Sequence, residues 1–289
     1  MPNGIIVIDK PDGWTSMDVC AKLRGVFHEK RVGHAGTLDP MATGVLPVFV
    51  GRATRAVQFA ETGEKEYIAG LRLGLVTNTQ DTSGETLEKR PVTVTRADLE
   101  GVLPRFTGEI DQIPPMYSAI KINGKKLYEL ARKGVEVERK PRRVTIHALE
   151  LLEPLEPGGD YRLKVRCSKG TYIRSLCHDL GQALGYGGCM SSLIRSQACG
   201  FSLSDAHPLE EVIGHPAPDA LLLPVDSLFR DRPAYTATPK QEERLRHGGG
   251  FSTPLSGGEY RVYSPSGEFL LLGQVVDGKL SITKSFYEV

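Results

Sequence analysis

The chain has 289 residues, of which 40% are apolar and 25% are charged, and its formal net charge is +1. This composition is typical of a folded globular protein and excludes wholesale disorder. The near-neutral charge gives no overall sign of a nucleic-acid partner. The sequence holds no apolar run near the ~20 residues that a helix needs to cross a bilayer, and its length favours one large domain or two smaller ones.

The cysteines and the N-terminal sequence predict the compartment. The five cysteines are odd in number and none belongs to a Cys-x-x-Cys pair, which argues against a disulfide framework and a zinc site. The first residues lack a basic segment followed by a long apolar stretch, so we expect no secretory signal. Together these features predict a cytoplasmic protein without a membrane association.

The first third of the chain predicts strands and capped helices. Thr15 and Asp18 form a capping-box pattern ahead of apolar residues at helical spacing, and Thr95 with Asp98 repeats this pattern before Leu103. The Gly-rich residues 31–44 predict irregular backbone, and the polar residues 77–91 predict a loop or an excursion from the core. Apolar or alternating runs predict strands over residues 4–9, 44–50 and 67–73.

The middle of the chain predicts a hairpin and two helices. Asn123-Gly124 is a type I′ turn signal, and residues 127–133 predict a short helix closed by Gly134. Thr171 is the expected N-cap of a helix over residues 172–184. Extended segments are predicted over residues 144–152 and 161–167, paired across a turn at 156–160, and over residues 190–204.

The C-terminal residues predict a separate small module. Gly-rich turns alternate there with short apolar runs, a pattern typical of a mostly β unit of about 60 residues. A boundary is expected near Asp226–Arg232. We therefore predict an α+β protein with a first domain over residues 1–227 and a second over 228–289.

One segment carries a local excess of positive charge. Residues 121–143, named here the basic segment, hold nine Lys or Arg and three Glu, whereas residues 200–289 lean acidic. Clustered cations can replace counterions along a phosphate backbone. On charge alone, a solvated surface is an equally good interpretation.

Two short segments have the residue types of a reactive site. Asp39 precedes Pro40 in a Gly-rich segment, which can hold a carboxylate at a fixed angle but is more often a simple turn. Tyr172 could stack on a base, and Arg174 could pair with a carboxylate or phosphate; alone, the two are more typical of a core ring and a surface cation. No nucleotide or metal motif accompanies them, so we expect no cofactor and no metal.

In order along the chain, these segments resemble the TruB family of bacterial tRNA pseudouridine-55 synthases. Several unrelated strings matching in one order are far more specific than any single string. The matching segments are Asp9–Ser16, Gly33–Leu46, Lys65–Tyr67, Pro114–Ala119, Gly124–Tyr128 and Gly170–Leu176.

The resemblance implies a mixed-sheet pseudouridine synthase fold with a small, mostly β, PUA-like C-terminal domain that binds RNA. It implies that Asp39 is the catalytic residue. The implied substrate-binding residues are His34, which would wedge into the RNA, and Tyr67, Tyr172, Arg174 and Leu193. The family's Leu-Arg-Arg reads Leu193-Ile194-Arg195 here, which leaves the pocket rim at this point in question.

The implied reaction isomerises a uridine in the T loop of tRNA to pseudouridine after the base has flipped out of its stack. The T stem-loop of tRNA is then the expected partner, and no obligatory protein partner is expected. Two alternatives stay open: a non-catalytic RNA-binding or tRNA-folding module, and a pseudouridine synthase that acts on another RNA. A carboxylate placed beside RNA phosphates favours the enzyme over the RNA-binding module, because a protein that only binds RNA does not need a negative charge there.

Overall fold

A computed structural model describes residues 2–122, 124–152 and 160–287. The helices in this part of the chain are α1 (Ser16–Val26), α2 (Val57–Ala60), α3 (Arg96–Val102), α4 (Leu127–Ala131), α5 (Ile173–Ala183), α6 (Leu209–Gly214) and α7 (Pro239–Arg246). The strands before residue 210 are β1 (Gly4–Lys10), β2 (Val32–His34), β3 (Thr43–Val50), β4 (Lys65–Leu73), β5 (Leu75–Thr77), β6 (Thr86–Lys89), β7 (Gly108–Gln112), β8 (Lys121–Ile122), β9 (Lys125–Lys126), β10 (Arg142–Leu151), β11 (Tyr161–Cys167), β12 (Gly188–Ala198), β13 (Phe201–Ser202) and β14 (His207–Pro208). The later strands are β15 (Ala234–Thr236), β16 (Phe251–Ser252), β17 (Gly258–Tyr263), β18 (Phe269–Val276) and β19 (Lys279–Ser285).

A large mixed sheet forms the body of the protein. Its strands follow the order β14-β1-β3-β12-β4-β11-β10-β7, with β2 added beside β3 and β13 beside β12. Strands β3 and β12 run parallel, and β12 and β4 run antiparallel. These three central strands carry or adjoin the segments that the sequence marked as reactive.

Most predicted elements are confirmed. The capping boxes at Thr15 and Thr95 are both present. In each, the threonine hydroxyl accepts a hydrogen bond from the aspartate N–H, and the aspartate carboxylate accepts one from the threonine N–H. Strands β1, β3 and β4 cover the predicted extended runs, and β10 pairs antiparallel with β11. The run predicted over residues 190–204 is extended only in part, because β12 ends at Ala198 and the chain turns at Cys199 and Gly200 before β13. The turns predicted at Asn123-Gly124 and at residues 156–160 involve residues outside the described ranges.

Three local predictions were wrong. The Gly-rich segment contains strand β2, which pairs with β3, and the predicted polar loop contains strand β6, which pairs with β5. Thr171 does not cap α5, because its hydroxyl donates to the Ser168 carbonyl at 3.0 Å. The N-cap is Tyr172, whose side chain makes no capping bond.

The C-terminal module is a second, separate sheet in the order β15-β17-β18-β19-β16. It packs on the main body through an aromatic cluster in which the Phe229 ring lies 5.5 Å from Phe59, 6.2 Å from Phe269 and 6.0 Å from Phe286. The α+β architecture with a small, mostly β C-terminal unit is as predicted. The division at residues 227 and 228 stays a prediction. No helix in the described residues is both long enough and apolar enough to cross a membrane.

Candidate active site

A cleft of about 1150 Å³ opens beside the central strands. Its wall combines carboxylates, cations and aromatic rings from segments far apart in the sequence. Five of the six side chains predicted for the site line this cleft: Asp39, Tyr67, Tyr172, Arg174 and Leu193.

Asp39 and Arg174 form a two-point ion pair at the centre of the cleft. Arg174 Nε lies 2.9 Å from Asp39 Oδ2, and Nη2 lies 3.3 Å from Oδ1. The Arg174 side chain is 6% exposed, whereas that of Asp39 is 36% exposed. The arginine is therefore a fixed internal support, and the carboxylate keeps one side open to the cleft.

The Arg174 guanidinium is itself held by neighbouring backbone. It donates to the carbonyl oxygens of Thr79 at 3.0 Å and Tyr117 at 2.8 Å, and Asp81 Oδ2 lies 3.7 Å from its Nε. Asp81 is 5% exposed. A planar fork with this many fixed partners has a defined direction, so the Asp39 carboxylate is also held in a defined orientation.

The loop that carries Asp39 is fastened to the N-terminal segment. Lys10 is fully buried, and its Nζ donates to the carbonyl oxygens of Pro11, Trp14 and Pro40 at 2.9, 2.5 and 3.0 Å. Burial lowers the pKa of Lys10, against the opposing effect of nearby carboxylates. The Ser16 hydroxyl also accepts from the Leu38 N–H at 2.9 Å. These bonds fix the backbone on both sides of Asp39.

Tyr67 lies on β4 and is 7% exposed. Burial raises its pKa, while the neighbouring Arg195 guanidinium opposes that shift. The phenol is therefore protonated at neutral pH. Tyr67 lines the cleft and is the cross-strand partner of Arg195, a fully buried cation on β12.

Tyr172 is positioned through its backbone. Gln112, at the end of β7, donates from Nε2 to the Tyr172 carbonyl at 3.0 Å and accepts from the Tyr172 N–H at 2.7 Å. Gln112 is 2% exposed. This reciprocal pair replaces the missing side-chain cap of α5 and fixes the residue from which the Tyr172 ring extends. Burial raises the pKa of Tyr172, with Ser118 among the opposing contacts.

Ile194, where the sequence departs from the family string, is not among the described residues that line the cleft. On β12 the side chains alternate: Leu193 and Arg195 line the cleft and are 7% and 0% exposed, whereas Ile194 is 37% exposed. Residues one apart on a strand face opposite sides of the sheet. The departure therefore falls on the side of β12 that faces away from the cleft.

His34 is placed apart from the other predicted residues. It lies on β2 opposite Val48 and is not among the described residues that line the cleft. Burial lowers its pKa, and its Nδ1 is buried without a hydrogen-bond partner among the described residues.

The basic segment reaches the cleft, but some of its charge is neutralised. Arg132 lines the cleft, and its guanidinium carbon lies 5.4 Å from the centre of the Tyr128 ring. Arg143 also lines the cleft, yet it pairs with Asp111 at 2.7 Å and Glu109 at 3.3 Å. The segment thus brings cations and an aromatic ring together at one end of the cleft.

Four supporting residues were not predicted: Lys10, Asp81, Gln112 and Arg195. Gln112 and Arg195 act through partners distant in the sequence, so no local pattern marks them. Lys10 and Asp81 combine bonds to near neighbours with one contact far along the chain, to Pro40 and Arg174 respectively. Among the described ranges, no group of three His, Cys, Asp or Glu side chains is arranged to hold a metal ion.

Comparisons with known proteins identify the family. The model of the TruB family pseudouridylate synthase N-terminal domain matches residues 24–173, and that of the tRNA pseudouridylate synthase B C-terminal domain matches residues 174–230. The chain is 44% identical over 281 residues to tRNA pseudouridine synthase B of Azoarcus sp. (strain BH72), covering 96% of this chain and 93% of the relative. It is 45% identical over 255 residues to tRNA pseudouridine synthase B of Geobacillus thermodenitrificans (strain NG80-2), covering 85% and 84% of the two chains.

A solved structure supports the same grouping. A chain of the crystal structure of a Cbf5-Nop10-Gar1 complex superposes with a TM-score of 0.75 at 26% identity, covering 98% of this chain and 85% of that one. The sheet described above is thus a mixed-sheet pseudouridine synthase fold, followed by a small PUA-like domain. This chain belongs to the TruB family of pseudouridylate synthases.

Proposed function

We propose that this protein isomerises a uridine in the T loop of tRNA to pseudouridine, with Asp39 as the catalytic residue. The observation that carries the proposal is the Asp39 carboxylate, held at two points by Arg174 and open to a cleft that Tyr67 and Tyr172 also line. The relatives named tRNA pseudouridine synthase B support tRNA as the substrate.

The residues present suit this reaction. The uracil ring leaves its N1–C1′ bond, rotates and forms a C5–C1′ bond, so the product contains the same atoms as the substrate and no electrons are exchanged. A carboxylate can serve in two ways: it can attack C1′ as a nucleophile or remove a proton from C2′ as a base. Both roles use the carboxylate form of Asp39, whose two oxygens the Arg174 guanidinium contacts.

The target base must leave its stack before it can reach Asp39, at a cost of a few kcal/mol. The Tyr67 ring offers a stacking surface, and base–aromatic stacking contributes about 1–3 kcal/mol. Leu193 adds an apolar wall that limits water near the reacting sugar. His34, outside the cleft lining, is suited to fill the gap that the flipped base leaves in the RNA.

The rest of the tRNA needs a cationic surface. Arg132 at the cleft and the neighbouring exposed lysines of the basic segment fit a phosphate backbone running away from the T loop. Such contacts would position the substrate rather than read its sequence.

Incubation with an unmodified tRNA transcript, followed by nucleoside mapping, tests the proposal. We expect pseudouridine at one T-loop uridine. A tRNA that is bound but not converted would favour the RNA-binding alternative. Conversion only at sites outside the T loop, or only in another RNA, would overturn the substrate assignment.

A further inference from the structure

The largest fully buried side chain in the described residues is a cation, Arg195. Its Nε donates to the Val45 carbonyl at 2.7 Å, and its Nη2 donates to the Gly36 carbonyl at 3.0 Å. No carboxylate of the described residues pairs with it. Removing a guanidinium from water without a counter-charge is costly, so its position calls for an explanation beyond packing.

Arg195 lies between the two segments that the proposed reaction uses. It is the cross-strand partner of Gly44 on β3 and of Tyr67 on β4. Gly36, three residues before Asp39, leaves room for the guanidinium: a Cβ there would lie 3.1 Å from Arg195 Nη1. The backbone of Gly44, at φ +97°, lies against the backbone of Arg195, and a Cβ at Gly44 would lie 2.3 Å from the Arg195 carbonyl oxygen. One side chain thus supports the Asp39 loop, and it extends from the strand position directly opposite Tyr67.

The surroundings add positive charge without carboxylate partners. Lys65 is 7% exposed and donates from Nζ to the Glu61 carbonyl at 3.1 Å and the Gly63 carbonyl at 2.7 Å. Both Lys65 and Arg195 line the cleft. In contrast to Arg174, which pairs with Asp39, neither of these cations forms an ion pair with a carboxylate of the described residues, and the nearest acidic residue of the cleft lining on their side is Glu61.

We propose that Arg195 is a positioning residue that joins the Asp39 loop to Tyr67 and, through the Tyr67 hydroxyl, directs positive charge toward the uracil ring that has left the sugar. The inference rests on the proposed function. When the C1′–N1 bond breaks, its electron pair stays on the ring, which becomes an anion until C5 bonds to C1′. C5 then loses its proton and N1 gains one, so that the product has the atoms of the substrate. Fixed dipoles aimed at a charge that develops during reaction stabilise it without reorganisation.

The first test is a double-mutant cycle of Arg195→Lys and Tyr67→Phe, followed by single-turnover conversion of tRNA and by tRNA binding. Lysine keeps the charge but loses the planar fork. We expect Arg195→Lys to slow conversion at least about tenfold while the Kd for tRNA changes less than about threefold. In the Tyr67→Phe background the same change should cost less than about threefold, because residues that act as a unit are not additive.

The matched control is Arg166→Lys, an exposed arginine on β11 outside the cleft lining, which should leave the rate unchanged. Equal losses from Arg195→Lys in both backgrounds, or no loss, would overturn the inference. If the unaltered protein formed no pseudouridine in any tRNA, the proposed function would fail together with this inference. If only the Arg195 result failed, the proposed function would stand.

A second test does not depend on how well an Arg195 variant folds. Fluorine at C5 of the target base stabilises negative charge on the detached ring. The rate with tRNA containing 5-fluorouridine should therefore depend less on stabilisation of that charge by the protein. Tyr67→Phe should therefore slow consumption of 5-fluorouridine at the target by a smaller factor than it slows conversion of uridine. A structural defect would slow both substrates by the same factor, and that result would contradict the inference.

Discussion

Arg174 meets both carboxylate oxygens of Asp39, through Nε to Oδ2 and Nη2 to Oδ1. The two residues are 135 positions apart in the sequence, and the arginine lies in the first turn of α5 while the aspartate lies on the loop before β3. This pair joins the two halves of the cleft. Its two-point geometry is what a planar guanidinium can provide and an ammonium cannot.

Replacing Arg174 with lysine should separate charge from geometry. We expect Arg174→Lys to slow single-turnover isomerisation by roughly 100-fold, because a carboxylate held at one point loses its alignment with the sugar. Binding of tRNA should change by less than about tenfold. The control is Arg162→Lys on the exposed side of β11. A lysine variant with the unaltered rate would show that the two-point contact is dispensable.

Gln112 should matter for stability through Tyr172. Gln112→Ala leaves the Tyr172 N–H without its partner and removes one of the two donors to the Tyr172 carbonyl, which keeps only the Leu176 N–H, so we expect the free energy of unfolding to fall by about 1–3 kcal/mol. Gln182→Ala, at an exposed position of α5, should change it by less than about 0.5 kcal/mol. Urea unfolding measures both. Equal stability of the two variants would mean that water replaces the Gln112 amide.

The basic segment should set the salt dependence of tRNA binding. Reversing the charge of Lys125 and Arg132 should weaken binding and reduce the slope of log K against log salt by roughly one for each phosphate that the variant no longer neutralises. Reversing Arg162 and Arg166, both exposed on β11, provides the control. An unchanged slope in the first variant would remove the segment from the RNA interface.

Asp179 predicts a pH effect on stability. Burial raises the pKa of Asp179 to about 6 from its ordinary value of 3.8. Between pH 3.8 and about 6, Asp179 is therefore protonated in the folded protein and ionised in the unfolded chain. The free energy of unfolding consequently falls as the pH rises through this range. The penalty is fully present at neutral pH and absent below the lower value.

Asp179→Asn removes that penalty. We expect the variant to be more stable than the unaltered protein at neutral pH by about 1 kcal/mol, since solvent screening at this partly exposed side chain reduces the penalty. The difference should vanish below about pH 4. Thermal or urea unfolding across this range measures it. Asp219→Asn, at an exposed position, should show no such pH dependence. A stability gain that is constant with pH would contradict the assigned cause.

Short sequence patterns predicted correctly those structural elements that depend on contacts between residues close in the sequence. The capping boxes of Thr15 and Thr95 are made within four residues, and both are present. Strand β2 escaped prediction because three residues carry no alternation and are ordered by pairing with β3. Thr171 was assigned as a cap from its type alone, whereas its hydroxyl turns back to Ser168.

The same distinction applies to the site. Asp39, Tyr67, Tyr172 and Arg174 could be named because they lie in recognisable strings. Gln112 lies in none of these strings, and Arg195 was noted only as the end of the Leu193-Ile194-Arg195 string, without a role. Their roles depend on partners that lie 60 and 150 residues away. A glutamine at a strand end and an arginine on a strand look like surface residues until the fold buries them.

The measurement that tests the central claim most directly is single-turnover conversion of unmodified tRNA by the Asp39→Asn variant, with tRNA binding measured in parallel. Asparagine keeps the shape of the side chain and removes its charge. The account predicts that no pseudouridine forms while the Kd for tRNA stays within about tenfold, or ~1.4 kcal/mol, of the unaltered protein. Pseudouridine formed by this variant at the unaltered rate would contradict the assignment of Asp39 as the catalytic residue.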